Sequence, residues 1–165
     1  MNSYLLKTEN ELKLRNYSPK TIKGYLSCLK DFLSAYKNPQ KVDMEFIKNY
    51  LLGKINRGFS PQTVNLYLNS IKYFYRDVLK NYTKIDIKLS KRSLKLPIVL
   101  SREEIGKIIS NVSNLKHKLL ISLSYGAGLR VSEVINLKIK DININELTIH
   151  IKEAKGNKDR ITIFP

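Results

Sequence analysis

Apolar residues in the first half of the chain fall into two long stripes of helical period. Ile22, Tyr25, Leu26, Leu29, Phe32, Leu33 and Tyr36 form one; Val64, Tyr67, Leu68, Ile71, Phe74, Tyr75 and Val78 form the other. Steps of three and four residues put each set on one side of an α-helix, the side that a bundle buries. Each stripe follows a serine–proline pair, Ser18-Pro19 and Ser60-Pro61. The serine oxygen can cap the first amides, and proline suits the first helical position because its missing N–H would have no partner there. Every member of the second stripe lies 42 residues beyond its counterpart in the first, so one helix pattern occurs twice. Two copies are too few for a solenoid. Shorter periodic segments near Tyr4–Arg15 and Met44–Asn56 complete a predicted four-helix bundle over residues 1–80.

The pattern then changes. Residues 81–96 show weak periodicity, and Lys80, Lys84, Lys88, Lys91, Arg92 and Lys95 lead up to Pro97. This reads as a basic linker, either simply solvated or able to follow a polyanionic backbone. A second piece, residues 97–165, opens with Ser101-Arg102-Glu103-Glu104, a capping box that starts a helix. Another apolar helix covers about Leu115–Tyr125. Gly126 and Gly128 break it, a helix restarts near Arg130, and Leu137 to Asp141 closes it. From Leu147 the period becomes two: Leu147, Ile149 and Ile151, then Ile161 and Ile163, alternate with other residues around a Gly-Asn turn, the pattern of a β-hairpin. The expected fold is mainly α with a small β-hairpin.

Charge narrows the range of partners. Of a net +16, residues 1–95 carry +12, from 19 Lys+Arg against 7 Asp+Glu. A folded basic domain of this kind suits a polyanion, nucleic acid before membrane. No apolar run is long enough to span a bilayer, and the N-terminus lacks a signal-peptide core. The one cysteine, Cys28, lies on an apolar stripe and fits an inert thiol in the cytoplasm. Opposite the apolar stripes run polar ones: Lys20, Lys23, Ser27 and Lys30 on the first helix, and Gln62, Asn65, Asn69 and Lys72 on the second. A solvated face would look similar. Lysines mixed with amides and hydroxyls, however, are the residue types that contact phosphates and base edges, so these faces are candidates for binding double-stranded DNA.

Two short runs carry candidate chemistry. In Gly126-Ala127-Gly128-Leu129-Arg130-Val131-Ser132-Glu133 an arginine sits between glycines and an apolar helix, with a carboxylate three residues on. Glu133 is either the structural ion-pair partner of Arg130 or a support that leaves the outer guanidinium fork for a phosphate. The second run is Lys155-Gly156-Asn157-Lys158-Asp159-Arg160. A lysine on a hairpin turn is commonly only solvated; facing DNA, Lys155 could protonate a leaving oxygen while Lys158 and Arg160 hold the phosphate backbone. Other sites are excluded. His117 and His150 lack metal-ligand spacing, no P-loop run occurs, and no acidic cluster suggests a two-metal nuclease. Tyr25, Tyr67 and Tyr75 belong to apolar faces.

These runs resemble those of the tyrosine recombinase (phage integrase) family, especially its Xer-like members. Gly128-Leu129-Arg130-Val131-Ser132-Glu133, the Leu137-x-x-x-Asp141-Ile142 continuation and Lys155 to Arg160 occur in the family's order, and the Ser-Pro-x-Thr helices resemble its SAM-like DNA-binding domain. The resemblance implies a helical SAM-like domain followed by the front part of a mixed α/β catalytic domain, the two forming a C-shaped clamp around DNA. It implies that Arg130 holds the non-bridging oxygens of the scissile phosphate, that Lys155 protonates the leaving 5′ oxygen, and that Glu133 supports the site. A tyrosine would form a 3′-phosphotyrosyl link, with no metal, ATP or other cofactor. The implied processes are site-specific DNA recombination and integration; the implied partners are duplex DNA and further recombinase protomers on it. The family's His-x-x-Arg motif, its nucleophilic tyrosine and the segment exchanged between protomers all follow the hairpin. None is found in these 165 residues, so the expectation is a front portion that alone neither cleaves nor joins strands. The alternatives are a non-catalytic DNA-binding regulator at a recombination site and a helical protein–protein adaptor.

Overall fold

The structure, a computed structural model, describes residues 2–36, 38–91, 96–154 and 158–165, without the side chains of residues 153, 154 and 158. The chain divides into two compact units, Met1–Lys95 and Leu96–Pro165.

The first unit is built from α1 (Asn2–Leu14), α2 (Pro19–Ala35), α3 (Met44–Asn56) and α4 (Pro61–Tyr73), the last continuing through a widened π-helical turn at Phe74–Val78. The repeated stripe has a repeated start. The Ser18 hydroxyl accepts from the Thr21 amide at 3.2 Å, and the Ser60 hydroxyl accepts from the Thr63 amide at 3.3 Å. Asp43 caps α3 through the Phe46 amide at 2.9 Å. The two stripes meet in a core containing Leu29, Phe32, Leu68, Ile71, Phe74 and Tyr75, to which α3 adds Ile47 and Leu51. Cys28 is buried in this core, and burial pushes its thiol up to about 11, out of reach of neutral-pH chemistry. The bundle does not end at residue 80. Ile85 is buried in its core and Ile87 packs beside it, so the front of the stretch expected as a linker is part of the bundle.

One charge lies inside. Lys54 on α3 is 1% exposed, its ammonium paired with Asp31 of α2 and placed over the rings of Tyr67, Tyr50 and Phe59 at 4.5, 4.9 and 5.4 Å. Tyr67 also donates its hydroxyl proton to Asp31 at 2.7 Å. Burial pulls the Asp31 carboxyl up, but the Lys54 and Tyr67 hydrogen bonds and the Lys54 charge outweigh it and leave the carboxyl lowered.

The second unit contains α5 (Arg102–Asn111), α6 (Leu115–Gly126), α7 (Val131–Asn136), a 3₁₀ turn at Ile139–Asp141, and strands β1 (Ile142–Asn143), β2 (Thr148–Ala154) and β3 (Lys158–Ile163). The full capping box forms at α5: Ser101 and Glu104 each accept the other's amide, at 3.2 and 2.7 Å. The strands form one antiparallel sheet in the order β1-β2-β3, so a short third strand joins the expected hairpin. The hairpin's Gly156-Asn157 turn lies outside the described residues. Leu123, Ala127, Leu129, Val134, Ile149 and Ile151 make the core. Across the sheet Ile149 pairs with Thr162, and Ile151 with Arg160, so those residues share the inner face; Ile161 and Ile163 lie exposed on the other. The polar members of β3 face inward because the loop before α7 offers them partners.

Candidate nucleic-acid interface and phosphate site

In the first unit, α2 presents Lys20, Lys23, Ser27 and Lys30, all exposed. Lys23, Ser27 and Lys30 flank an open groove between α1 and α2, floored by Leu5, Ile22 and Leu26. The acidic group on that groove, Glu9, is neutralised by Lys13 at 2.6 Å, which leaves the Lys23 and Lys30 charges to dominate. The polar residues of α4 divide into two pairs. Gln62 and Asn69 are exposed. Asn65, 5% exposed, donates to the Ser90 carbonyl at 3.0 Å and accepts the Ser90 amide at 2.7 Å. Lys72, half-buried, donates to the Ile87 carbonyl at 2.9 Å. These two side chains fasten residues 85–90 to α4. Lys91 is exposed, and Arg92 lies outside the described residues.

In the second unit the chain leaves α6 through Ala127 and then Gly128, whose φ of +62° is left-handed and suits a residue without Cβ. This turn sends Leu129 into the core and makes Arg130 the residue that opens α7. Arginine offers no acceptor for the first amides of a helix, so capping alone does not account for it there. Glu133, three positions on and 8% exposed, reaches back instead. Its Oε2 accepts the Arg130 amide at 2.8 Å, and its Oε1 accepts Arg130 Nη1 at 2.7 Å. From β3, Arg160 Nη2 donates to Oε2 at 2.8 Å and to the Gly128 carbonyl at 3.2 Å. The Arg130 amide, then the Arg160 and Arg130 guanidiniums, hold the Glu133 carboxyl down at about 2 against the effect of burial.

The Arg130 side chain is 58% exposed, so with Nη1 turned to Glu133 much of its fork faces solvent. A guanidinium held on one edge and open on the other can accept a phosphate with little reorientation. The structure thus brings Arg130, Glu133 and Arg160 together. Lys155 lies outside the described residues, as does the side chain of Lys158, whose backbone pairs with Ala154. Two further links hold the site's surroundings. Thr162 Oγ1 donates to the Ala127 carbonyl at 3.1 Å, and Lys152 pairs with Asp141 at 2.9 Å. No local signal marked either link: the apolar alternation of β3 lies on Ile161 and Ile163, which are exposed, and Lys152 and Asp141 are eleven residues apart.

Two family descriptions match: "Phage integrase, N-terminal SAM-like domain" over residues 4–85 and "Phage integrase family" over residues 99–165. The tyrosine recombinase XerA of Pyrococcus horikoshii is 34% identical over 152 residues, 91% of this chain and 52% of that protein. XerA of Pyrococcus furiosus is 31% identical over 156 residues, 93% of this chain and 54% of that protein. Among solved structures, the Tn1549 transposon integrase in complex with circular intermediate DNA superposes with a TM-score of 0.68 at 20% identity, over 97% of this chain and 58% of that one. This last likeness is one of fold. The chain spans about half the length of the curated relatives it matches.

Proposed function

Because this chain belongs to the phage integrase family of tyrosine recombinases, we propose that it binds duplex DNA through its helical bundle and one backbone phosphate through Arg130. The observation that carries this reading is the Arg130–Glu133–Arg160 cluster, in which a buried carboxylate leaves one guanidinium fork turned outward. The exposed lysines of α2 supply the positive face that a duplex requires.

The reaction this recognition serves is site-specific cleavage and rejoining, used for recombination or integration. A tyrosine oxygen attacks phosphorus and forms a 3′-phosphotyrosyl bond as the bond to the 5′ oxygen breaks. Lys155 gives that oxygen its proton, and Arg130 stabilises the charge that grows on the non-bridging oxygens. Attack by a 5′ hydroxyl then reverses the exchange and releases the tyrosine. His117 and His150 are followed three residues on by Leu120 and Glu153, so no His-x-x-Arg run occurs in these residues. For the 165 residues themselves the proposal is therefore recognition of the duplex and its phosphate. Further protomers on the same DNA belong to the same reading.

Fluorescence anisotropy of a labelled duplex across a salt series tests it. The logarithm of affinity should fall linearly with that of salt, and changing Lys20, Lys23 and Lys30 together to Gln should lessen the slope by about 2.7, near 0.9 per phosphate contact. A slope untouched by those changes would remove the α2 face from the interface.

A further inference from the structure

Arg160 sits where a direct DNA contact and an internal strut are both conceivable, and its surroundings distinguish them. It faces Ile151 across the sheet, on the inner side where Ile151 is 3% exposed. Its Nη2 is shared between Glu133 Oε2 and the Gly128 carbonyl. Its Nε is shut off from solvent with no hydrogen-bond partner among the described residues. A guanidinium placed to meet phosphates would keep that edge open. Thr162, the next inward residue of β3, ties the same loop through the Ala127 carbonyl. The strand that leaves the hairpin turn is thus fastened to the loop bearing Arg130 at two successive inward positions.

We propose that Arg160 is a positioning residue which, by occupying Glu133 Oε2, keeps Arg130 from closing both edges of its fork on that carboxylate and so keeps the fork directed at phosphate. A lone arginine beside a carboxylate favours the two-bond, fork-to-fork pairing. Here Oε2 is already taken by the Arg130 amide and by Arg160, and Arg130 reaches only Oε1. With Arg160 removed, the acceptor position on Oε2 that the Arg130 amide does not use becomes available, and Arg130 turns inward onto Glu133. The inference rests on the reading of Arg130 as a phosphate receptor and assigns to β3 the control of its direction.

The test uses the whole chain, Arg160→Ala and Arg160→Lys, and two readouts. The first is the Glu133 carboxyl titration followed by carbon NMR, which needs no DNA. Arg160→Ala should raise it by about one unit, the loss of one close opposite charge, and Arg160→Lys should restore part of that shift. The second is a double-mutant cycle on duplex affinity. Arg160→Ala should weaken binding about tenfold when Arg130 is present and have no further effect in an Arg130→Ala background, as coupled residues behave. An equal loss in both backgrounds with an unmoved Glu133 titration would make Arg160 a direct DNA contact and overturn the proposal. A wild-type chain that binds no duplex would instead sink the DNA reading, and the Glu133 titration would still decide the strut. If Arg160→Ala does not fold, Arg160→Lys carries the affinity cycle, and an equal loss with and without Arg130 overturns the proposal.

Discussion

The buried cation of the bundle makes an asymmetric prediction. Lys54 is almost wholly enclosed, whereas the Asp31 side chain is 46% exposed. Asp31→Asn keeps the shape and removes the anion, leaving an ammonium held only by three rings and an amide. Breaking a buried pair from one side costs about 3–5 kcal/mol, and the half-exposure of Asp31 brings the expectation to about 2–3 kcal/mol. Lys54→Met keeps the unbranched stem, needs no desolvated charge, and leaves Asp31 its Tyr67 bond and water; it should cost less than about 1 kcal/mol. The double substitution should recover most of the Asp31→Asn loss. For a unit of this size the Asp31→Asn loss lowers Tm by roughly 10–20 °C. Urea unfolding followed by tyrosine fluorescence reports on this unit selectively, because nine of the ten tyrosines precede residue 83 and the chain has no tryptophan. Equal costs for the two single changes, or a larger one for Lys54→Met, would mean that the Lys54 ammonium is not held chiefly by the Asp31 carboxylate.

Other perturbations follow from single positions. Gly128→Ala adds a Cβ that meets nothing within 4 Å, so its cost is backbone strain at φ +62°, about 1–2 kcal/mol; hydrogen exchange in α7 and β3 should speed up accordingly, and unchanged exchange would discount the turn. Asn65→Ala removes both bonds to Ser90 and should make trypsin cleave after Lys88 and Lys91 several-fold faster; equal rates would mean that the segment is held by other contacts. Glu133, ionised more readily in the fold than in the unfolded chain, contributes stability that is complete above its ordinary range near 4.5 and is lost as pH falls toward about 2. Circular dichroism through that window should show a shallower acid loss for Glu133→Gln; an identical profile would remove Glu133 from the linkage.

Much of the fold was legible because its signals are local. Ser18, Ser60 and Ser101 mark helix starts, and the 42-residue repeat of apolar stripes marks the two central helices. What local pattern could not show is which polar residue meets which backbone group. Asn65 and Asn69 look alike in sequence, yet one is buried against Ser90 and the other is exposed. Ile161 and Ile163 carry the apolar half of β3's alternation, but the inner face went to Arg160 and Thr162, whose partners lie 27 to 35 residues earlier. At the site, Arg130 and Glu133 stood out as a nearby pair. The third member, Arg160, read as a contact to the phosphate backbone; its bond to Glu133 is set by the register of the hairpin and left no local trace. The two-residue strand β1 was too short to leave any periodic trace.

Phosphate recognition by Arg130 is read from its side-chain nitrogen NMR signal as duplex DNA is added to the whole chain. This resonance should shift in step with the backbone amides of Lys20, Lys23 and Lys30. An Arg130 signal that stays in place while the α2 amides move would contradict the assignment of Arg130 as the phosphate receptor.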